Sequence, residues 1–160
     1  MKTLLIVWHS RTGGAQAMAQ AAANAASEIS VRFLPASETH PADIIAADGY
    51  IFAAPENLAA LSGPMKDFFD RCYYPVLDRI QGRPYASMIC AGSDGTSAVR
   101  QLTRITTGWR LRQIAEPIIV NTHAQTPEAI AAPKIIPPAD LARCAELGAG
   151  FAAGLAAGIF

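Results

Sequence analysis

The sequence carries no excess of either charge. Thirteen basic residues stand against thirteen acidic ones in 160, with no polybasic run and no acidic tail, so charge points to neither nucleic acid nor a membrane surface. Cysteine is scarce. Cys72, Cys90 and Cys144 form no C-x-x-C and no metal-ligand spacing, and their odd count suits a reducing cytosol; each reads as a small buried hydrophobe. Long apolar runs are missing as well. Leu147 to Phe160 is apolar but fourteen residues long, short of a bilayer span, so its Gly150, Gly154 and Gly158 are read as close packing on the sheet or on a second subunit. Lys2 is followed by only six apolar residues before His9, too few for a secretory signal, and the mature chain is expected to start at residue 1 and to be cytoplasmic.

What is present is organised around a short turn. Thr3 to Trp8 is an apolar, β-branched run bounded by Lys2 and His9, as a strand buried on both faces would be, and Ala15 to Ser27 is rich in the best helix former. Ser10-Arg11-Thr12-Gly13-Gly14 lies between them, at a helix N-terminus. There the first backbone N–H groups have no partner within the helix and the macrodipole favours an anion. Ser10 and Thr12 add hydroxyls, and the two glycines let the backbone curl around a group without a Cβ in the way. Neither G-x-G-x-x-G nor a terminal Gly-Lys-Ser/Thr occurs, and the nearest cysteine is Cys72, which excludes dinucleotide, triphosphatase and cysteine-phosphatase loops. The turn resembles the flavodoxin phosphate loop, Ser/Thr-x-Thr-Gly-x-Thr, at Ser10, Thr12 and Gly13. Where that family has a last threonine, Ala15 presents a methyl group, and backbone N–H groups must cover for the hydroxyl.

The remaining elements alternate. Ile29 to Leu34 reads as a second, near-edge strand ended by Pro35, Pro41 to Ala47 as a short helix, and Gly49 to Ala54 as a third strand. Pro55 to Gly63 is a loop. From about Pro64 a helix carries Met65, Phe68, Phe69, Cys72 and Tyr73 on one face, read as core packing, until Pro75 stops it. Pro84 to Ala91 is a fourth strand, and Gly92 to Gly95 a small-residue turn opening a helix through about Thr107, with Val99, Leu102, Ile105 and Trp109 inward. Pro117 to Val120 is a fifth strand, Asn121 to Pro138 a proline-rich connection, and Ala139 to Ala157 a last helix. The arginines between Arg79 and Arg112 read as a solvated helix face. Such alternation predicts a single domain over residues 1–160, an α/β fold with a three-layer, doubly wound, five-stranded parallel sheet in the flavodoxin-like order 2-1-3-4-5. Ligands of such sheets sit beyond the strands' carboxyl ends, where residues 9–15, 55–62 and 91–96 converge.

The second of these stretches extends the resemblance. Ala54-Pro55-Glu56-Asn57, followed by Leu61-Ser62-Gly63-Pro64-Met65-Lys66-Asp67-Phe68, is similar to the Pro-x6-Ser-Gly-x-x-Lys stretch of flavodoxin-like NAD(P)H-dependent FMN and quinone reductases. The similarity runs from Lys2 to about Val120. It implies FMN as cofactor and NAD(P)H as electron donor, with Ser10, Arg11, Thr12, Gly13, Gly14 and Ala15 at the phosphate. Pro55, Glu56, Asn57 and Leu58 would lie along the isoalloxazine ring, and Ala91, Gly92, Ser93 and Gly95 at its pyrimidine side. Amides of a glycine turn favour the negative charge of a reduced flavin, so the reaction asks no acid or base of the protein. No catalytic side chain is expected: Glu56 reads as a hydrogen-bonding or structural residue, and His9 and His123 as structural histidines.

Electron-carrier flavodoxins normally sandwich the ring between aromatic residues and are strongly acidic. Here the two ring loops hold no aromatic residue and the formal charge is zero, which favours an enzyme with an open flavin face and a small-molecule electron acceptor such as a quinone. A carrier or FMN-binding module without NAD(P)H activity is the alternative, and a protein of this fold holding another phosphate ligand is a third reading.

Overall fold

The computed structural model describes residues 1–160. In chain order the elements are β1 (Thr3–Trp8), α1 (Gly14–Ala25), β2 (Ser30–Pro35), α2 (Pro41–Ala46), β3 (Gly49–Asn57), β4 (Ala60–Leu61) and α3 (Gly63–Val76). They continue as β5 (Pro84–Ala91), α4 (Thr96–Gly108), β6 (Arg112–Gln113), β7 (Ile118–Asn121), α5 (Pro127–Ala131) and α6 (Pro138–Ala156). The parallel order is β2-β1-β3-β5, and both β6 and β7 pair with β5. Arg112 and Gln113 lie beside Pro84 and Tyr85, and Ile118 to Asn121 beside Met88 to Ala91. Together they make one interrupted fifth strand, so the order 2-1-3-4-5 holds and β2 lies at an edge. The break falls at Ala115 to Pro117, where the proline has no N–H for a ladder.

Strands β1, β3 and β5 are buried along nearly all their length, and two unlike cores cover the sheet. Under α2, α3 and α4 the packing is aromatic: Phe52 meets Phe69 at 5.0 Å, and Phe69 meets Trp109 edge-on at 5.2 Å. Phe68 and Phe69 are thus core residues. On α4 the buried positions are Ala98, Leu102 and Thr106, with Trp109 just beyond the helix; Val99 and Ile105 are half-buried.

Beneath α1 and α6 the core is built from small residues, so the helices approach closely. A Cβ on Gly148 would stand 2.1 Å from the Ala22 carbonyl oxygen. The glycine stripe anticipated in the C-terminal helix is therefore displaced: Gly148 makes the contact with α1, Gly154 lies under Phe160, and Gly150 and Gly158 have open space around them. No helix is long and apolar enough to cross a membrane. All three cysteines are buried and free, and burial pushes their thiols up, Cys144 to about 11.

Several boundaries differ from the expectation. Pro35 closes β2 rather than following it, at an edge where no ladder N–H is needed. Pro75 lies inside α3, one residue before its end. Residues 121–138 contain the short α5, capped by the Thr126 hydroxyl, which accepts from Ala129 N–H at 3.2 Å. Arg83 is not a solvated arginine. Its guanidinium donates to the carbonyls of Ile44 (3.1 Å) and Ile45 (2.8 Å), to that of Ala47 and to the Tyr50 hydroxyl (3.1 Å), closing the C-terminus of α2.

The stretch after β3 departs furthest. Instead of a loop, β3 runs on to Asn57 and turns back as β4, with Glu56 opposite Leu61 and Asn57 opposite Ala60. The two turn residues, Leu58 (φ 50°) and Ala59 (φ 59°), are both left-handed. A two-residue hairpin of this hand favours Asn-Gly, and a left-handed non-glycine residue costs about 1–2 kcal/mol. Leu58→Asn with Ala59→Gly is therefore expected to raise the unfolding free energy by about 1–2 kcal/mol. Urea denaturation with no shift in midpoint would show that the turn is unstrained.

Candidate functional site

The carboxyl edge of the sheet brings the three anticipated stretches together. After β1 the chain reaches the turn at residues 9–14. Ser10 Oγ accepts from the Gly13 N–H at 3.0 Å, which closes the turn on itself. Gly13 takes φ 92° as the residue before α1, a conformation suited to glycine. Gly14 is required for a different reason: a Cβ there would stand 2.6 Å from Cys90 Sγ and 3.3 Å from Lys134 Cβ. Beyond it the N–H groups of Gly14, Ala15 and Gln16 have no acceptor in the chain, and the first turn of α1 holds no acidic residue. Ala15 is buried against Met18 and the sheet, so this position offers its N–H and no side-chain donor. Arg11 is exposed and unpaired, and Thr12 is half-buried. The result is a preformed cradle of free donors beside one guanidinium.

The N-terminus of α4 makes an instructive contrast. It too starts at a left-handed glycine, Gly95 (φ 97°), but two of its donors are taken by one side chain from β3. Glu56 Oε1 accepts from Gly95 N–H at 2.9 Å and Oε2 from Ala98 N–H at 3.0 Å. Glu56 is thus the helix cap that Gly95, lacking a side chain, cannot supply. At this edge Glu56 closes the start of α4, whereas the start of α1 leaves three consecutive amides free beside Arg11. In the intervening turn the N–H groups of Gly92, Ser93 and Asp94 have no acceptor, leaving three more donors next to the hairpin. Pro55 and Asn57 lie on β3 within that hairpin, and Leu58, 101% exposed, stands at its tip. Ala91 is the buried last residue of β5.

Two further features were not legible in the sequence. Residues 122–137 lie as a strap along the edge: Thr122 N–H donates to Ala91 O (2.8 Å), the Gln125 amide to Gly92 O (2.6 Å), and Lys134 N–H to Thr12 O (2.8 Å). They tie the third loop to the first. His9 Nδ1 lies 2.8 Å from the buried Ser62 Oγ, linking the first loop to the start of α3. Burial, with the Arg11 guanidinium beside it, holds the His9 imidazole below its ordinary value of 6.5. The Trp8 indole N–H, on the strand residue leading into the turn, is buried with no acceptor.

A histidine held neutral by the fold contributes stability that is fully present above the unfolded value of about 6.5 and is lost as pH falls through the lowered folded value. His9→Gln, which keeps an amide near Ser62, is expected to flatten the loss of stability between pH 7 and pH 5. Identical pH profiles for the two proteins would remove His9 from that role.

Sequence comparison now bears on this edge. The model of the NADPH-dependent FMN reductase family matches residues 35–126. The chain belongs to this family. Within the reductase-matched range lie the hairpin, Glu56 and the Gly92–Gly95 turn, whereas the 9–14 turn precedes it and most of the strap follows it. No curated protein is significantly similar in sequence. Among solved structures, a flavodoxin from the domain Archaea superposes with a TM-score of 0.76 at 17% identity, over 94% of this chain and 96% of that one. A flavodoxin, WrbA-like protein from Agrobacterium tumefaciens does so at 0.74 and 18% identity, over 98% of each chain. Rubredoxin oxygen:oxidoreductase from Desulfovibrio gigas reaches 0.78 at 16% identity, over 98% of this chain and 37% of that one. These likenesses place the chain in the flavodoxin-like three-layer α/β/α fold.

Proposed function

We propose that the carboxyl edge of the sheet holds FMN and that the chain is an oxidoreductase passing electrons from NAD(P)H to a quinone or another small acceptor. The observation that carries this reading is the contrast between the two helix starts: α1 presents the unpartnered amides of Gly14, Ala15 and Gln16 beside Arg11, while Glu56 already fills α4. A terminal phosphate would meet three consecutive free amides and a guanidinium at the α1 start. The residues present fit the rest of the cofactor. Thr12 adds a hydroxyl at the phosphate, the Pro55–Leu58 arm flanks a planar ring, and the Gly92–Asp94 amides offer donors to a ring edge where negative charge gathers. FMN, when bound, supplies two-electron chemistry that no side chain here offers. The chain's part is to bind, to orient and to leave one face open. Neither ring loop carries an aromatic residue to cover that face, which supports a donor and an acceptor docking in turn.

The structural likeness to flavodoxins favours one second reading, an electron carrier without NAD(P)H activity. Anaerobic stopped-flow mixing of the FMN-loaded protein with NADH or NADPH separates the two. An oxidoreductase bleaches the visible flavin band at about 1 s⁻¹ or faster; bleaching slower by orders of magnitude with both nucleotides would leave the carrier.

A further inference from the structure

On the face of the sheet opposite α1 and α6, helices α3 and α4 part around a cavity of about 430 Å³. Its floor is apolar. Phe69 and Trp109 are buried there edge-to-face, with Tyr73 and Ile105 half-buried beside them. One wall is the α3 ridge Lys66, Asp70 and Tyr74, spaced every four residues, with Tyr74 79% exposed and its ring 5.0 Å from that of Tyr73. The other wall is the α4 ridge Arg104 and Gly108. At Gly108 a Cβ would meet open space, so this wall is one side chain short.

The charges around this groove are unequal. Lys66 and Asp70 pair with each other at 2.8 Å, whereas Arg104 has neither a carboxylate partner nor a hydrogen bond through its side chain. An unpaired guanidinium over an aromatic floor is complementary to a flat ring bearing one negative charge. Rings stack on a tyrosine face at about 4.5–7 Å, and the fork of an arginine matches a carboxylate with two parallel bonds. The volume lies in the range of small-molecule sites. A second copy of the chain fits less well, because the groove is lined by 9 residues where a stable interface uses about 20–30 on each side.

We propose that the α3–α4 groove binds a small planar aromatic anion, an aryl carboxylate or phenolate, with its ring against Tyr73 and Tyr74 and its charge at Arg104. The site is separate from the carboxyl edge and does not depend on the flavin reading. Its test uses the full chain, with and without added FMN, titrated calorimetrically with 2-naphthoate, with 2-naphthol as a ring left uncharged at neutral pH. The expected result is one saturable equivalent of naphthoate, bound at least about 10-fold more tightly than naphthol, with FMN retained. Arg104→Gln should weaken naphthoate about 10-fold or more, and Gly108→Met, which fills the open wall of a helix without a backbone penalty, should do the same while leaving FMN binding unchanged. Absence of saturable binding, equal affinity for naphthol, displacement of FMN, or full affinity in Gly108→Met would each overturn the proposal. A change of sedimentation coefficient in Gly108→Met would assign the groove to a second copy of the chain instead.

Discussion

Glu56→Ala is expected to lower the unfolding free energy by about 2–4 kcal/mol, the cost of two hydrogen bonds to a charged group at a helix start whose other side-chain acceptor, Asp94, serves only Thr96. Gly95 and Ala98 N–H, 2.9 and 3.0 Å from the carboxylate oxygens, would lose their acceptors together, and water can only partly replace them at a half-buried site. Leu61 N–H, which donates to Gln101 Oε1 at 2.7 Å, would remain the hydrogen-bonded tie from the hairpin to α4. Chemical denaturation reads the loss directly. A second consequence is more specific: the freed α4 start becomes an anion site, so sulfate should stabilise Glu56→Ala more than it stabilises the parent. A loss below about 0.5 kcal/mol, the scatter of ordinary surface substitutions, would mean that the cap contributes little.

Gly14→Ala is expected to act on the first loop as strongly, by crowding rather than by loss of a bond. The added methyl meets Cys90 Sγ at 2.6 Å and Lys134 Cβ at 3.3 Å, so the turn must lift from β5 and from the strap. Overpacking of this kind costs about 1–3 kcal/mol. Displacement of three donor amides should also weaken FMN about 100-fold, two charge-assisted bonds' worth. Cys90→Ala removes the obstructing sulfur, and the double variant should recover most of both losses. Strictly additive effects in that cycle would show that the two residues are not in contact.

How much of this was legible beforehand divides along physical lines. Strand β1, the first six residues of β3 and β5 are largely apolar, and α3 has a plain helical stripe, so local pattern suffices for the order of the sheet and for the three loops at its edge. The fifth strand was half missed because Arg112 and Gln113 are exposed and carry no strand signal. The hairpin was read as a loop because Leu58-Ala59 breaks the residue preference of its own turn. Contacts across long separations were invisible. Nothing in the spacing shows that Glu56 reaches residues 39 and 42 positions away, that Arg83 closes α2, or that the proline-rich connection returns to Thr12. Gly148 was passed over for the regular stripe at 150, 154 and 158, since periodicity does not say which glycine faces the neighbouring helix.

The central claim is that the α1 start, with its free amides and Arg11, is the seat of a phosphate group. Parallel titrations of the apoprotein with FMN and with riboflavin, which share the ring and differ in that group, test it most directly. The account predicts that FMN binds at least about 100-fold more tightly than riboflavin, since the phosphate adds several charge-assisted bonds of about 1.5–3 kcal/mol each. Equal affinities, or no binding of either, would contradict it.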